Sequence, residues 1–214
     1  MKKGLLGMLT AAAVVMLAVV LAGCAKSGPV LLQDILYQAP TGTAPERAKV
    51  IVGVSPFKDV RGGSTSVLGK RIISDDVQND LVVQGTVADL VTAALKDALQ
   101  SRSITVKDAP AWDLSGTPPR AEGSDLIIGG EVKVLWVDCQ SRPVNVKTKA
   151  SVQLRVAVAE ASGAAPLRTV NLKSSLERED IVFSFSTVQE TLSEALTSAL
   201  NQLLTDEEMK KRLR

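Results

Sequence analysis

The sequence predicts an α+β domain: a mainly antiparallel sheet with two amphipathic helices packed on one face. Three observations carry this expectation. Val144, Val146, Thr148, Ala150, Val152, Leu154, Val156 and Val158 alternate with Asn145, Lys147, Lys149, Ser151, Gln153 and Arg155, the period-two pattern of a strand with one wet face. Two other segments carry apolar residues at helical spacing, Val87, Leu90, Val91, Ala94, Leu95, Ala98 and Leu99 in one and Val188, Leu192, Ala195, Leu196, Ala199, Leu203 and Leu204 in the other. Their order along the chain is strand, helix, strand, a meander of strands, then helix, which suits helices on one side of a sheet.

Taken in order, Lys49–Val54 is a β-branched run stopped at Ser55-Pro56 and reads as the first strand. Residues 57–64 form a loop with Gly62-Gly63. The stretch from Val67 to Asp80 is ambiguous, with an extended piece at Arg71–Ile73. Thr86, with Asp89 three residues on, opens the first helix as a weak capping box. Ile104–Lys107 resumes an extended pattern, and 108–124, rich in proline and glycine, is a long loop. Asp125–Cys139 reads as a long strand with a bulge or bend at Gly129-Gly130. Ser162-Gly163 turns the alternating strand into its return, Leu167–Arg178. The second helix begins near Ser186 or Thr187. Thr205 and the acids 206–208 then cap a short last helix that ends in Lys210, Lys211, Arg212 and Arg214. Acid first and base last complements the helix dipole.

The N-terminus reads as an address. Lys2 and Lys3 precede an apolar run of 17 residues from Leu5 to Leu21, and Leu21-Ala22-Gly23-Cys24 closes it. Charge, apolar core and small residues in that order make a secretory signal. Seventeen apolar residues stand at the lower limit for a membrane span. The last four residues match a bacterial lipobox, with cleavage before Cys24 and lipid on its thiol. Residues 1–23 are therefore expected to be signal, 24–48 a lipidated tether, and 49–214 a periplasmic domain. The tether holds Pro29, Pro40 and Pro45, and its stretch Val30–Tyr37 is apolar enough to dock on the body. Ala25 lacks the aspartate of an inner-membrane retention signal, so the expected address is the outer membrane, facing the periplasm.

Composition removes several classes of chemistry. The 214 residues hold 25 Lys and Arg against 23 Asp and Glu. Without Lys2 and Lys3 the chain is neutral, which argues against nucleic-acid binding. With no histidine, Ser-His-Asp and Cys-His nucleophiles and His-ligated metals are excluded. Two cysteines make no disulfide framework, and Cys139, ending an apolar run, reads as buried. Asp75, Asp76 and Asp80 lack the spacing of a calcium loop. Gly62–Ser66 lacks a full phosphate-loop pattern. Ser55 and Lys58 have Ser-x-x-Lys spacing, but in a turn. Trp136 and Phe183 read as core; Trp112, in its proline-rich loop, leaves an exposed partner anchor as the lesser reading. No catalytic residue, metal or cofactor is expected.

Leu21–Cys24, a first strand leading to Asp59-Val60-Arg61, and Leu68-Gly69-Lys70-Arg71 together resemble the YajG-type lipoproteins. The likeness extends over most of the mature chain as layout, and the 108–124 loop departs from it. It implies an envelope lipoprotein with no enzymatic activity to inherit. Asp59, Arg61 and Gly69 then have two readings: a partner-binding loop, or an Asp–Arg bridge shaping a turn with Gly69 at positive φ. The function expected is a non-catalytic binding or assembly module with an envelope protein as partner. The alternative is an auxiliary lipoprotein of a lipid or polysaccharide transport system, which calls for an apolar groove between helix and sheet or an exposed basic patch.

Overall fold

The computed structural model describes residues 28–40, 49–74, 77–114 and 116–213. Leu21, Ala22, Gly23 and Cys24 lie outside the described residues, as do Asp75 and Asp76.

Nine strands and three helices are formed among the described residues. They are β1 (Val30–Leu32), β2 (Ile51–Val54), β3 (Lys58–Asp59), β4 (Val67–Ser74), β5 (Val77–Val83), α1 (Val87–Gln100), β6 (Thr105–Asp108), β7 (Leu126–Ser141), β8 (Val146–Glu160), β9 (Arg168–Asp180), α2 (Phe185–Thr205) and α3 (Glu207–Arg212). The ambiguous stretch 67–80 is a hairpin of β4 and β5. Thr86 caps α1: its hydroxyl accepts from the Asp89 amide at 3.1 Å and donates to the Asp89 carboxylate at 2.7 Å.

One sheet contains all nine strands, and β7 is its spine. On one side β7 pairs with β8 along its whole length, and β8 pairs with β9, both antiparallel. On its other side three strands lie end to end, each parallel to β7: β2 at Leu126–Ile128, β3 at Glu131–Val132 and β4 at Val137–Gln140. The parallel strand β6 extends the sheet beyond β2, and β5, then β1, extend it beyond β4.

The sheet is thus mixed, where a mainly antiparallel one is expected from sequence. Alternation marks β8 and β9, whose one face is wet. The parallel strands are short, and β2 in particular is buried on both faces, so it shows no alternation. Pairing across more than 70 residues leaves no local signal.

Both long helices pack on one face, as their apolar stripes require. Leu95, Leu99, Leu192, Leu196 and Leu200 meet Leu135, Val137, Val152 and Leu154 there in a single core. Segment 33–38 runs along α2, with the Leu36 amide on Ser193 Oγ and the Gln38 amide on Thr197 Oγ1. Leu32, Ile35 and Tyr37 are buried with the rest of the core. The opposite face is covered only in part. The 108–124 loop folds over it and seats Trp112 and Leu114 on Ile127, Ala157 and Ala159.

The irregularity in β7 falls between Val132 and Val134, not at Gly129-Gly130. Those glycines stay in register and make room for rings instead. A Cβ on Gly130 would stand 2.3 Å from the Phe57 ring, and one on Gly129 would stand 3.0 Å from Trp112. Trp112 is buried, so it is no exposed anchor. Trp136 is half-buried on the open face rather than in the core, with its indole N–H on Asp138. Phe183 packs against the core edge beneath the Arg71 guanidinium, 3.6 Å from the ring centre.

Candidate functional site

The loop after β3 is organised by one side chain. Arg61 Nε donates to Asp59 Oδ1 at 2.9 Å and its Nη2 to Asp59 Oδ2 at 2.8 Å, a two-point pair. Nη1 donates to the carbonyls of Val67 and Leu135, and Nη2 also reaches the Ser64 carbonyl. All five guanidinium N–H groups are thus committed internally. The Arg61 and Asp59 side chains are only 8% and 11% exposed, so the pair leaves no donor for a ligand. The Arg61 hydrogen bond holds the Asp59 carboxyl below its ordinary range, against the opposing effect of burial. In this geometry Arg61 ties the 61–67 loop to the middle of β7.

Gly69 meets a different demand from the positive φ expected. It lies in β4 opposite Val137, at a register shift in the β4–β5 pairing. A Cβ there would stand 1.8 Å from the Val137 carbonyl oxygen. The residues with positive φ are its loop neighbours Gly62 and Gly63, at +76° and +80°. The motif is therefore a unit: Asp59 and Arg61 shape the loop, its two glycines turn it, and Gly69 lets β4 close on β7.

Beside this loop the open face holds a concavity of about 470 Å³ lined by Gly62, Gly63, Ser64, Lys70, Lys133 and Trp136, among others. Ser64 and Lys133 are exposed, and Lys70 and Trp136 are half-buried. Strand register extends the polar character across the sheet. Asp80, Lys70, Asp138, Lys149 and Glu177 stand in one row over five strands, with signs alternating. Opposite charges on neighbouring strands stabilise the pairing modestly. Lys147 reaches Glu177 at 2.6 Å, and this pairing lowers the Glu177 carboxyl.

The remaining candidates are placed plainly by the structure. Ser55 is fully buried beside Gly129 and Trp112, remote from solvent as a nucleophile must not be. Cys139 is fully buried, 3.7 Å from Thr148 Oγ1, and burial raises its thiol above the ordinary value. Arg178 crosses from β9 to Glu190 and Glu194 on α2. Two of the C-terminal bases are paired, Lys210 with Glu207 and Arg212 with Glu160 and Glu208. Among the described residues no three His, Cys, Asp or Glu side chains cluster as metal ligands. Nor is any described helix long and apolar enough to cross a membrane.

Sequence reasoning missed Lys133 and the placing of Trp136. A bulge that turns Lys133 out of register has no local signature in an apolar run, and Trp136 looks like core until the face it points to is known.

The chain matches no family model and no curated protein. Among solved structures it is similar to the protein XCC0632 of Xanthomonas campestris, of the DUF330 family, at 13% identity and a TM-score of 0.52, over 83% of this chain and 91% of that one. A protein described as a homolog of a neuraminyllactose-binding hemagglutinin from Helicobacter pylori aligns at 8% identity and a TM-score of 0.45, over 85% and 98%. Lipoprotein GNA1162 of Neisseria meningitidis aligns at 14% identity and a TM-score of 0.36, over 73% and 99%. The likeness to XCC0632 is one of fold.

Proposed function

We propose that this chain is a lipid-anchored protein of the cell envelope, held at the outer membrane by acyl chains on Cys24, with its domain in the periplasm as a non-catalytic binding or assembly module. The observation that carries the reading is Leu21-Ala22-Gly23-Cys24 at the end of an apolar run. Several acyl chains on one residue give stable anchoring, at about 0.8 kcal/mol per buried methylene. The resemblance of its motifs to YajG-type lipoproteins supports the same class.

The surface assigned to a partner is the open concavity. The 59–69 loop forms one wall of the open concavity, Asp59 and Arg61 hold that wall rigid, and Gly69 closes β4 beneath it. Ser64, Lys70, Lys133 and Trp136 are the groups a partner would touch. Trp136 is the residue type enriched at protein interfaces, with Ser64, Lys70 and Lys133 as a polar rim around it. The helix–sheet interface is filled by leucine and valine side chains, which counts against a lipid groove there, and the charged row beside the concavity alternates in sign rather than forming a basic patch; both count against the transport alternative.

Photoreactive residues at Ser64 and Lys133, in the lipidated protein in its own membranes, test the reading. One reproducible protein adduct at both positions is the expected result. Adducts of lipid or glycan alone would overturn it in favour of the transport alternative, and no adduct at either position would remove the concavity as a docking site.

A further inference from the structure

We infer that the end of the sheet formed by the β7–β8 turn and the β9–α2 connection is a membrane-docking face, which seats on the bilayer that holds the Cys24 acyl chains. The inference rests on the proposed lipidation of Cys24.

Two turns bring exposed apolar side chains to this end. Ile181 and Val182, just past β9, are 86% and 72% exposed, Val144 in the β7–β8 turn is 81% exposed, and Phe185 opens α2 with its ring half out. The last β8–β9 pair is Val146 with Asp180, so Val144 and Val182 project beyond the same rung. Phe183 locks the connection in place, stacked edge-on to Phe185 and covered by Arg71. Ile73 and Val77, also exposed, flank the end of the neighbouring hairpin. Single exposed apolar residues need no explanation, but several on one end of a molecule mark a contact surface.

What selects a bilayer over another occupant is where the anchor must lie. Strand β1 runs parallel to β5 and away from this end, so the chain before Val30 points back toward it. Gly28 is fixed there: its carbonyl accepts from Asn79 Nδ2 at 3.0 Å, and Asn79 is two residues, about 7 Å, from the start of β5. Cys24 precedes Gly28 by four residues, a reach of at most about 14 Å. An acylated Cys24 therefore keeps this end at the membrane. The far end is removed by the length of α2, about 31 Å for its 21 residues. The short helix α3 with Lys210 and Arg212 sits there, away from the bilayer.

The charges at the docking end are mixed. Arg142 is exposed in the β7–β8 turn, while Glu179, held by Asn145, and Asp180 close β9. Apolar contact rather than headgroup charge therefore carries the docking, and zwitterionic lipid suffices.

The test places an environment-sensitive fluorophore on a cysteine at Val144, Val182 or Ser162, the last at the opposite end, in the full lipidated chain. Cys139 is buried and stays unlabelled in the folded protein. The protein is reconstituted in phosphatidylcholine vesicles whose acyl chains carry bromine, a contact quencher. Emission at 144 and 182 falls by about twofold or more relative to unbrominated vesicles and emission at 162 is unchanged, since side chains docked on a membrane seat about 5–10 Å into the headgroup–acyl boundary. Equal emission at all three positions, in protein that floats with the vesicles, overturns the docking face and leaves the anchor intact. A blue shift at 182 without quenching assigns the face to a second copy and overturns the inference too. Protein that does not float overturns the anchor first, and this inference with it.

Discussion

At the scale of single residues the structure turns on Arg61. A buried guanidinium with all five donors used is costly to break, because Asp59 would be left charged and unpaired. Arg61→Ala is expected to cost about 3–5 kcal/mol of stability at pH 7, as loss of one partner from a buried pair does. The effect has a pH signature. Asp59 is held below its ordinary value of 3.8, so its contribution is complete above that value and is lost as pH falls through the lower, folded one. Urea unfolding of wild type and R61A should show a stability gap that is constant from pH 7 to 5 and shrinks below pH 4. A gap independent of pH would mean that Arg61 acts through its carbonyl contacts alone. The sequence displays Asp59 and Arg61 as a spaced pair. It does not display that Val67 and Leu135 supply the other acceptors: Val67 is brought round by the loop, and Leu135 lies on β7, 74 residues away.

At the scale of elements, the close approach of β4 to β7 is the feature most exposed to mutation. Gly69→Ala places a methyl against the Val137 carbonyl, a backbone atom that cannot swing aside. The expected cost is about 3 kcal/mol or more, at the upper end of overpacking effects, read as a lower urea midpoint. Gly63→Ala, in open space but at positive φ, should cost only about 1 kcal/mol. A G69A protein as stable as G63A would contradict the role given to Gly69. Elements with a period were legible from sequence: α1 with its Thr86 cap, the alternating β8 and its return β9, and the core stripe of α2. Two short strands were legible from their β-branched runs, β2 (Ile51–Val54) within Lys49–Val54 and β6 (Thr105–Asp108) at Ile104–Lys107. The two-residue β3 was not, being too short for a pattern to show. The parallel pairing of β2, β3 and β4 with β7 joins segments far apart in the chain and has no local signature.

The edge of the sheet shows the same economy of means. Among the described residues the long strand β9 pairs on one side only, and exposed edges invite association. Gln202 of α2 covers part of it: its Nε2 donates to the Lys173 carbonyl at 2.7 Å, and its Oε1 accepts from the Lys173 amide at 3.3 Å. Arg168 and Arg178 tie the two ends of the strand to acids on the helices. Exposed pairs of this kind contribute little to stability; here they set the helix across the strand.

At the scale of the whole molecule, three features align along one axis. The proposed docking end carries Gly28 and the exposed apolar turns, the open sheet face with its concavity runs along the flank, and the C-terminal helix lies at the far end. Tethered through Cys24 as proposed, the protein would present its flank sideways, in the layer just above the membrane. The expectation of a non-catalytic site rests on subtraction, from the missing histidine and the lack of metal and nucleophile patterns in the sequence. The surface itself was not legible there, because a face of a sheet is assembled from rows of residues on five strands, and no stretch of sequence contains such a row. The address, by contrast, is written in consecutive residues, and the account depends on it. The most direct measurement is mass spectrometry of the N-terminal peptide from the membrane-derived protein, beside Cys24→Ala. The account predicts a chain that begins at Cys24 and carries a diacylglyceryl thioether and an acylated amine, with C24A unprocessed. A chain that keeps residues 1–23, or begins elsewhere with an unmodified Cys24, would contradict it.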